Sequence, residues 1–144
     1  MFQRVVAAYN HSPQAERALL SAIRLAKILN SELHAITVLA ELPAYAAYAA
    51  AGDISLPQAL KGDREKFYEA LQEKAHALAH QHGVELRTHL IEGHGVEVVI
   101  DFLREQKAEL LVIGLHQNDL YLARLWSTVY ELATEAPCSV LGVH

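Results

Sequence analysis

The hydrophobic period of this chain switches back and forth along its length, and that alternation restricts the fold more than any other feature. Short apolar runs with strand character give way, each time, to stretches with apolar residues every three or four positions. Arg4 to Tyr9 is the first run, carried by Val5, Val6, Ala7 and Ala8. Ser12 then offers an N-cap oxygen and Pro13 suits a first helical turn. Ala15, Leu19, Ala22, Ile23, Ala26 and Leu29 make one helix face, and Asn30 is the expected stop. Leu33 to Leu39 reads as the second strand. Asp63 to Gln81 reads as a helix with Phe67, Leu71, Ala75 and Leu78 on one side and Gly83 just past its end.

The second half repeats the scheme. Val84 to Ile91 is the third strand, Gly93-His94-Gly95 a turn, and Val96 to Gln106 a helix burying Val99, Ile100 and Leu103. Glu109 to Ile113, Thr128 to Glu135 and Ser139 to Val143 complete the series as strand, helix and strand. Residues 40–62 break the pattern. Pro43, Ala44, Tyr45, Tyr48, Gly52 and Pro57 predict a long connection, with at most a short helical turn, of the kind that is often functional or mobile. Strands alternating with helices predict an open parallel sheet covered on both faces, an α/β fold of three layers, α/β/α. The all-apolar run Leu110 to Ile113 fits a strand covered on both sides. Ligands of such sheets bind beyond the carboxyl ends of the strands, where strand order reverses.

Composition narrows the function classes. At 144 residues, with 52% hydrophobic and 20% charged residues, a folded chain of one domain, 1–144, is expected. The net charge of −5 and the scattered basic residues argue against nucleic acid as a partner. No apolar run reaches the length of a membrane span, and the start of the chain lacks a signal-peptide core. The cytoplasm is therefore the expected compartment, without membrane insertion. The lone Cys138 lies beside an apolar strand and reads as a core residue.

The most informative stretch is residues 110–144. The strand ending at Gly114 runs into a polar loop, and a helix is expected to begin near Ser127 and Thr128. A strand, a loop and a helix N-terminus in that order make a usual phosphate site, because the helix start offers unpaired N–H groups and the positive end of its dipole.

Three stretches spread along nearly the whole chain, VVAAYNHS, VELRTHLIEGHGVEVVIDFLREQKAELLVIG and TEAPCSVLGV, together resemble the universal stress protein family. VVAAYNHS is similar to that family's first strand and turn, where Asp-Gly-Ser usually stands at the positions of Asn10, His11 and Ser12. VELRTHLIEGHGVEVVIDFLREQKAELLVIG and TEAPCSVLGV resemble its middle and its end. The resemblance implies five parallel strands in the order 3-2-1-4-5, with Asn10 and Gly114 facing one crevice. Nucleotide-binding members carry Gly, two residues, Gly, nine residues, then Gly with Ser or Thr. Here those positions are Gly114, Gln117, Ser127 and Thr128.

Gln117 puts a long side chain where the family leaves room, and Ser127 a short one whose hydroxyl can still donate. Asn10 keeps an acceptor oxygen but not the aspartate charge. By the same resemblance Val38 meets an adenine edge through its backbone, His116 lies within the motif beside Gln117, and Val129 directly follows it. Weak or absent ATP binding is the expectation, with no cofactor required. ATP with magnesium is the alternative, making the protein a nucleotide-responsive switch; a slow ATPase comes third. The resemblance also implies a homodimer formed through the edge strand Ser139 to Val143, and a protein client.

Other residues read more plainly. His76 and His80 stand at metal-ligand spacing, yet no Cys or HExxH pattern accompanies them, and a solvated helix face explains them. His11 and His116 fall in loops at the expected crevice, while His34 and His89 read as structural strand residues. Arg124 can pair with a phosphate, Trp126 fits packing against the sheet or a partner, and Tyr45 and Tyr48 fit a lid or a loose loop. No GxSxG elbow, spaced carboxylate pair or Cys–His arrangement marks a catalytic set.

Overall fold

The structure, a computed structural model, describes residues 1–10, 12–39, 55–93, 95–115 and 122–144, with the backbone alone for 55–64 and 122–128. Its elements are β1 (Arg4–Ala8), α1 (Pro13–Leu29), β2 (Glu32–Leu39), α2 (Ser55–Gln81), β3 (Leu86–Glu92), α3 (Gly95–Glu105), β4 (Leu110–Gly114), α4 (Leu122–Glu135) and β5 (Ser139–Val143). The five strands form one sheet in the order β3-β2-β1-β4-β5, and every pair is parallel. The expected fold and strand order are therefore correct.

The local signals explain most boundaries. Ser12 Oγ accepts the Ala15 N–H at 3.1 Å, so Ser12 caps α1 and Pro13 follows in the first turn. Asn30 ends that helix in the left-handed region at φ 54°, which its short polar side chain tolerates. Gly83, at φ 69°, stops α2: its N–H reaches His80 O at 3.0 Å and the Val84 N–H reaches Ala79 O at 3.0 Å.

Two helix starts differ from expectation. α2 begins at Ser55 rather than Asp63, so the connection is shorter than 40–62. Pro57 falls in the first turn, where its missing N–H costs no helical bond, and the alanine-rich, Gly62-containing segment has too little apolar repeat to reveal the helix. α4 begins at Leu122 rather than Thr128. Leu122, Leu125, Val129 and Leu132 carry an apolar repeat upstream of Ser127.

The core has two halves, one on each sheet face. Val5, Ala7, Leu33 and Ala35 pack with Leu19 and Ile23 of α1 and Leu71 and Ala75 of α2. Val6, Ile36, Leu111 and Ile113 pack with Val99, Ile100 and Leu103 of α3 and Leu132 of α4. Strand residues thus alternate between two apolar layers, as a doubly covered sheet requires.

Candidate functional site: the crevice between the first and fourth strands

The chain runs from β1 outward through β2 to β3, then crosses back to β4 and β5. Order reverses between β1 and β4, and a crevice of about 230 Å³ opens there beyond the strand ends. Ala8 and Tyr9 follow along β1, Ile36 and Val38 come from β2, and Ile113 and Gly114 from β4. Asn10, Ser12 and Ala15 close one side, and Val129 and Leu132 of α4 the other. Asn10, Val38, Gly114 and Val129 are thereby brought to one place.

The remaining sequence candidates are distributed differently. His11, the tyrosines at 45 and 48, His116 and Gln117 lie outside the described residues, as do the side chains of Arg124, Trp126, Ser127 and Thr128. Ser127 and Thr128 stand in the second turn of α4, where backbone N–H groups belong to the helix ladder. The anion-receptive end of that helix is its first turn, Leu122 to Leu125.

Asn10 and Ser12, two of the polar residues in the crevice wall, are engaged locally. Asn10 Oδ1 accepts the Ser12 N–H at 2.8 Å, an Asx turn that carries the chain from β1 into α1. Ser12 Oγ is committed to its cap. Tyr9 is buried at 4% exposure, and its carbonyl accepts the Thr37 Oγ1–H at 2.9 Å. Burial pushes the Tyr9 phenol above its ordinary value; Lys74 opposes that shift and Glu16 reinforces it. Lys74 and Glu16 pair with each other at 3.1 Å across α2 and α1. No described residue lining the crevice carries a charge at neutral pH.

Gly114 has a packing role that sequence reasoning missed. A Cβ there would stand 2.5 Å from the backbone carbonyl carbon and oxygen of Gln14 and 2.8 Å from the Ala15 nitrogen. The first turn of α1 rests on the end of β4, and only a residue without a side chain lets it come so close. The missing Cβ is required before any ligand is considered.

Away from the crevice, among the described residues, no group of three or more His, Cys, Asp or Glu side chains converges on a metal position. His76 Nε2 bonds Thr88 Oγ1 at 3.1 Å and His82 Nδ1 meets Leu78 O at 2.9 Å. Cys138 is half-buried, and burial raises its thiol pKa. No helix among the described residues is long and apolar enough to cross a membrane.

His34 and His89 are more than strand fillers. His34 is buried at 1% exposure and both its ring nitrogens are engaged, one by His89 and one by Glu32. The signal was present in the alternation of β2, which puts His34 on the same face as buried Ile36.

Comparison with known proteins adds a lineage. The model of the Universal stress protein family matches residues 1–144. Universal stress protein MJ0531 of Methanocaldococcus jannaschii is 28% identical over 144 residues, 99% of this chain and 82% of that protein. A crystal structure of a family protein from Burkholderia pseudomallei is 25% identical, with a TM-score of 0.72 over 99% of this chain and 96% of the other. A universal stress protein crystallised in complex with cAMP shares the fold at 23% identity, with a TM-score of 0.76 over 99% of this chain and 97% of the other.

Proposed function

This chain belongs to the universal stress protein family, and we propose that within it the protein is a cytoplasmic, dimeric binding module of the stress response, regulatory or protective, that holds ATP weakly or not at all. One observation carries the reading: the described wall of the crevice is apolar apart from Tyr9, Asn10 and Ser12, and it bears no charge. A triphosphate with magnesium needs compensating charge and free donors. Here the Asn10 and Ser12 oxygens accept the bonds that close a turn and cap a helix, which leaves these two side chains only the uncharged Asn10 amide and Ser12 hydroxyl hydrogens to offer a phosphate. The apolar wall suits a flat, uncharged group such as a nucleobase better than a phosphate chain.

Thermal unfolding in the presence of ligand tests this. A ligand held only by the folded state, at a hundred times its Kd, adds about 2.7 kcal/mol of stability. Millimolar ATP with magnesium is expected to shift the transition little. A saturable shift of that size would replace this reading with the second one, a nucleotide-responsive switch, which the cAMP complex of a solved relative favours.

The open edge of β5 supports the dimer. The Ser139 N–H bonds Glu109 O and the Leu115 N–H bonds Val143 O, so odd-numbered residues of β5 face β4. By alternation Val140 and Gly142 turn their backbone groups to the free edge. Antiparallel pairing of two copies through Ser139–Val143 would satisfy them. Val140→Pro removes an edge donor without touching the β4 ladder. Light scattering is expected to find a dimer for the parent protein and a monomer for the variant; a monomeric parent would remove this part of the proposal.

A further inference from the structure

We propose that His34 and His89 form a proton-limited latch between β2 and β3, which stays closed with at most one titrating proton on the pair and opens when both rings are charged. The latch is independent of the crevice and of any ligand. His34 Nε2 lies 2.7 Å from Glu32 Oε1, and His34 Nδ1 lies 2.7 Å from His89 Nε2. A carboxylate only accepts, so His34 Nε2 carries hydrogen. With His34 neutral, its Nδ1 is a lone pair and His89 Nε2 must donate.

The first added proton is accommodated. It sits on His89 Nδ1, leaving the bond as it is, or on His34 Nδ1 with His89 shifting to its other tautomer. A second proton leaves no acceptor. His34 would then present Nδ1–H to an Nε2–H of His89 at 2.7 Å, two donors and two positive charges in contact. His34 is too buried for water to replace the lost partner.

The surroundings set the balance. From β2 the pair meets the Glu32 carboxylate, 2.7 Å from His34 Nε2. From β3 comes Arg87, bonded to Glu32 Oε1 at 2.9 Å, and from β1 Arg4, 3.6 Å from Glu32 Oε2. The side chain of α3 resting on His89 is Phe102, a non-titrating ring with centroids 4.8 Å apart and planes at 61°. Burial first, then His34, then Arg87 lower the proton affinity of His89. A folded value below the ordinary one means the unfolded chain binds the proton more readily. Stability from the latch is therefore full above the ordinary imidazole range and is lost as pH falls through the lowered folded value.

The reading is made on the intact protein by side-chain nitrogen NMR and amide hydrogen exchange, from about pH 8 down to about pH 4.5. The expected result is a nitrogen–nitrogen coupling across the His34–His89 bond near neutrality. It should survive the first protonation and vanish with the second. Over that second step, protection of the β3 amides should drop by up to about tenfold per pH unit, after correction for intrinsic exchange. His89→Gln keeps a donor for His34 but cannot be charged, and should lose the acid-dependent drop while retaining β3 protection near neutrality. A coupling that persists with both rings protonated, or its loss with unchanged β3 protection, would overturn the proposal. So would an equal acid response in folded His89→Gln; the parent protein's spectra decide alone if that variant does not fold.

Discussion

The two ends of the sheet are held by different physics. At the amino ends of β1, β2 and β3, polar bonds join the strands: Arg4, Glu32, His34, Arg87 and His89 form one connected set. Beside it lies a hollow of about 340 Å³ that Lys27, Glu32, Glu85 and Arg87 help to line. At the carboxyl ends, close backbone packing does the work: α1 sits on Gly114, and the crevice there is smaller, with no charged side chain among its described lining residues. Ligands of open parallel sheets bind at the carboxyl ends. Among the described residues, Arg4, Glu32 and Arg87 lie at the opposite end, paired with one another. The hollow at the amino ends is lined in part by two residues of that cross-linking set, Glu32 and Arg87.

The contrast can be broken hardest at Gly114. Gly114→Ala places a methyl group into the Gln14 backbone, which can move only with the whole first turn of α1. Urea unfolding is expected to show a loss of about 3 kcal/mol. A near-neutral result would mean that the helix seats loosely and that packing does not hold this end.

His34→Ala tests the other end. It leaves a void among buried neighbours and strips Glu32 and His89 of a shared partner, at an expected cost of about 2 kcal/mol. The same set has an acid limb of its own. The hydrogen bond from His34, more than the nearby Arg87 and Arg4, holds the Glu32 carboxyl below its ordinary value. Stability from that shift is present above the ordinary carboxylate range and is lost as pH falls through the lowered value. Glu32→Gln should flatten that limb of the stability profile; an unchanged acid limb would place the sensitivity elsewhere.

The smallest effect sharpens the contrast by adding charge to the neutral end. Asn10→Asp retains the oxygen that accepts the Ser12 N–H and puts a carboxylate near the start of α1. Favourable interaction with the helix dipole is expected to raise stability by about 0.5 kcal/mol at neutral pH. It should also raise any ATP–magnesium shift above that of the parent. A stabilised variant with no added nucleotide response would mean that the crevice lacks more than this one charge.

How legible these features were in the sequence depends on how local their causes are. The ends of α1 and β5 could be read directly, because Ser12, Pro13 and Asn30 act on their own neighbours and the last strand lies between Pro137 and the end of an apolar run. The starts of α2 and α4 could not. Pro57 and Gly62 look like breakers until position in the helix is known, and the motif around Ser127 overlies an apolar repeat that already begins at Leu122. The crevice residues Asn10, Val38, Gly114 and Val129 were nameable from the resemblance, but what occupies their polar atoms was not. The Asx turn and the approach of Gln14 to Gly114 are tertiary facts. So is the His34–His89 bond, since strand pairing alone decides which histidines meet.

The tight seat of α1 on Gly114 bears on how such chains are sorted. A glycine kept for the seat of a helix is kept whether or not a nucleotide binds beside it. Its presence in a sequence therefore reports architecture, and evidence of a ligand has to come from positions that packing leaves free to vary.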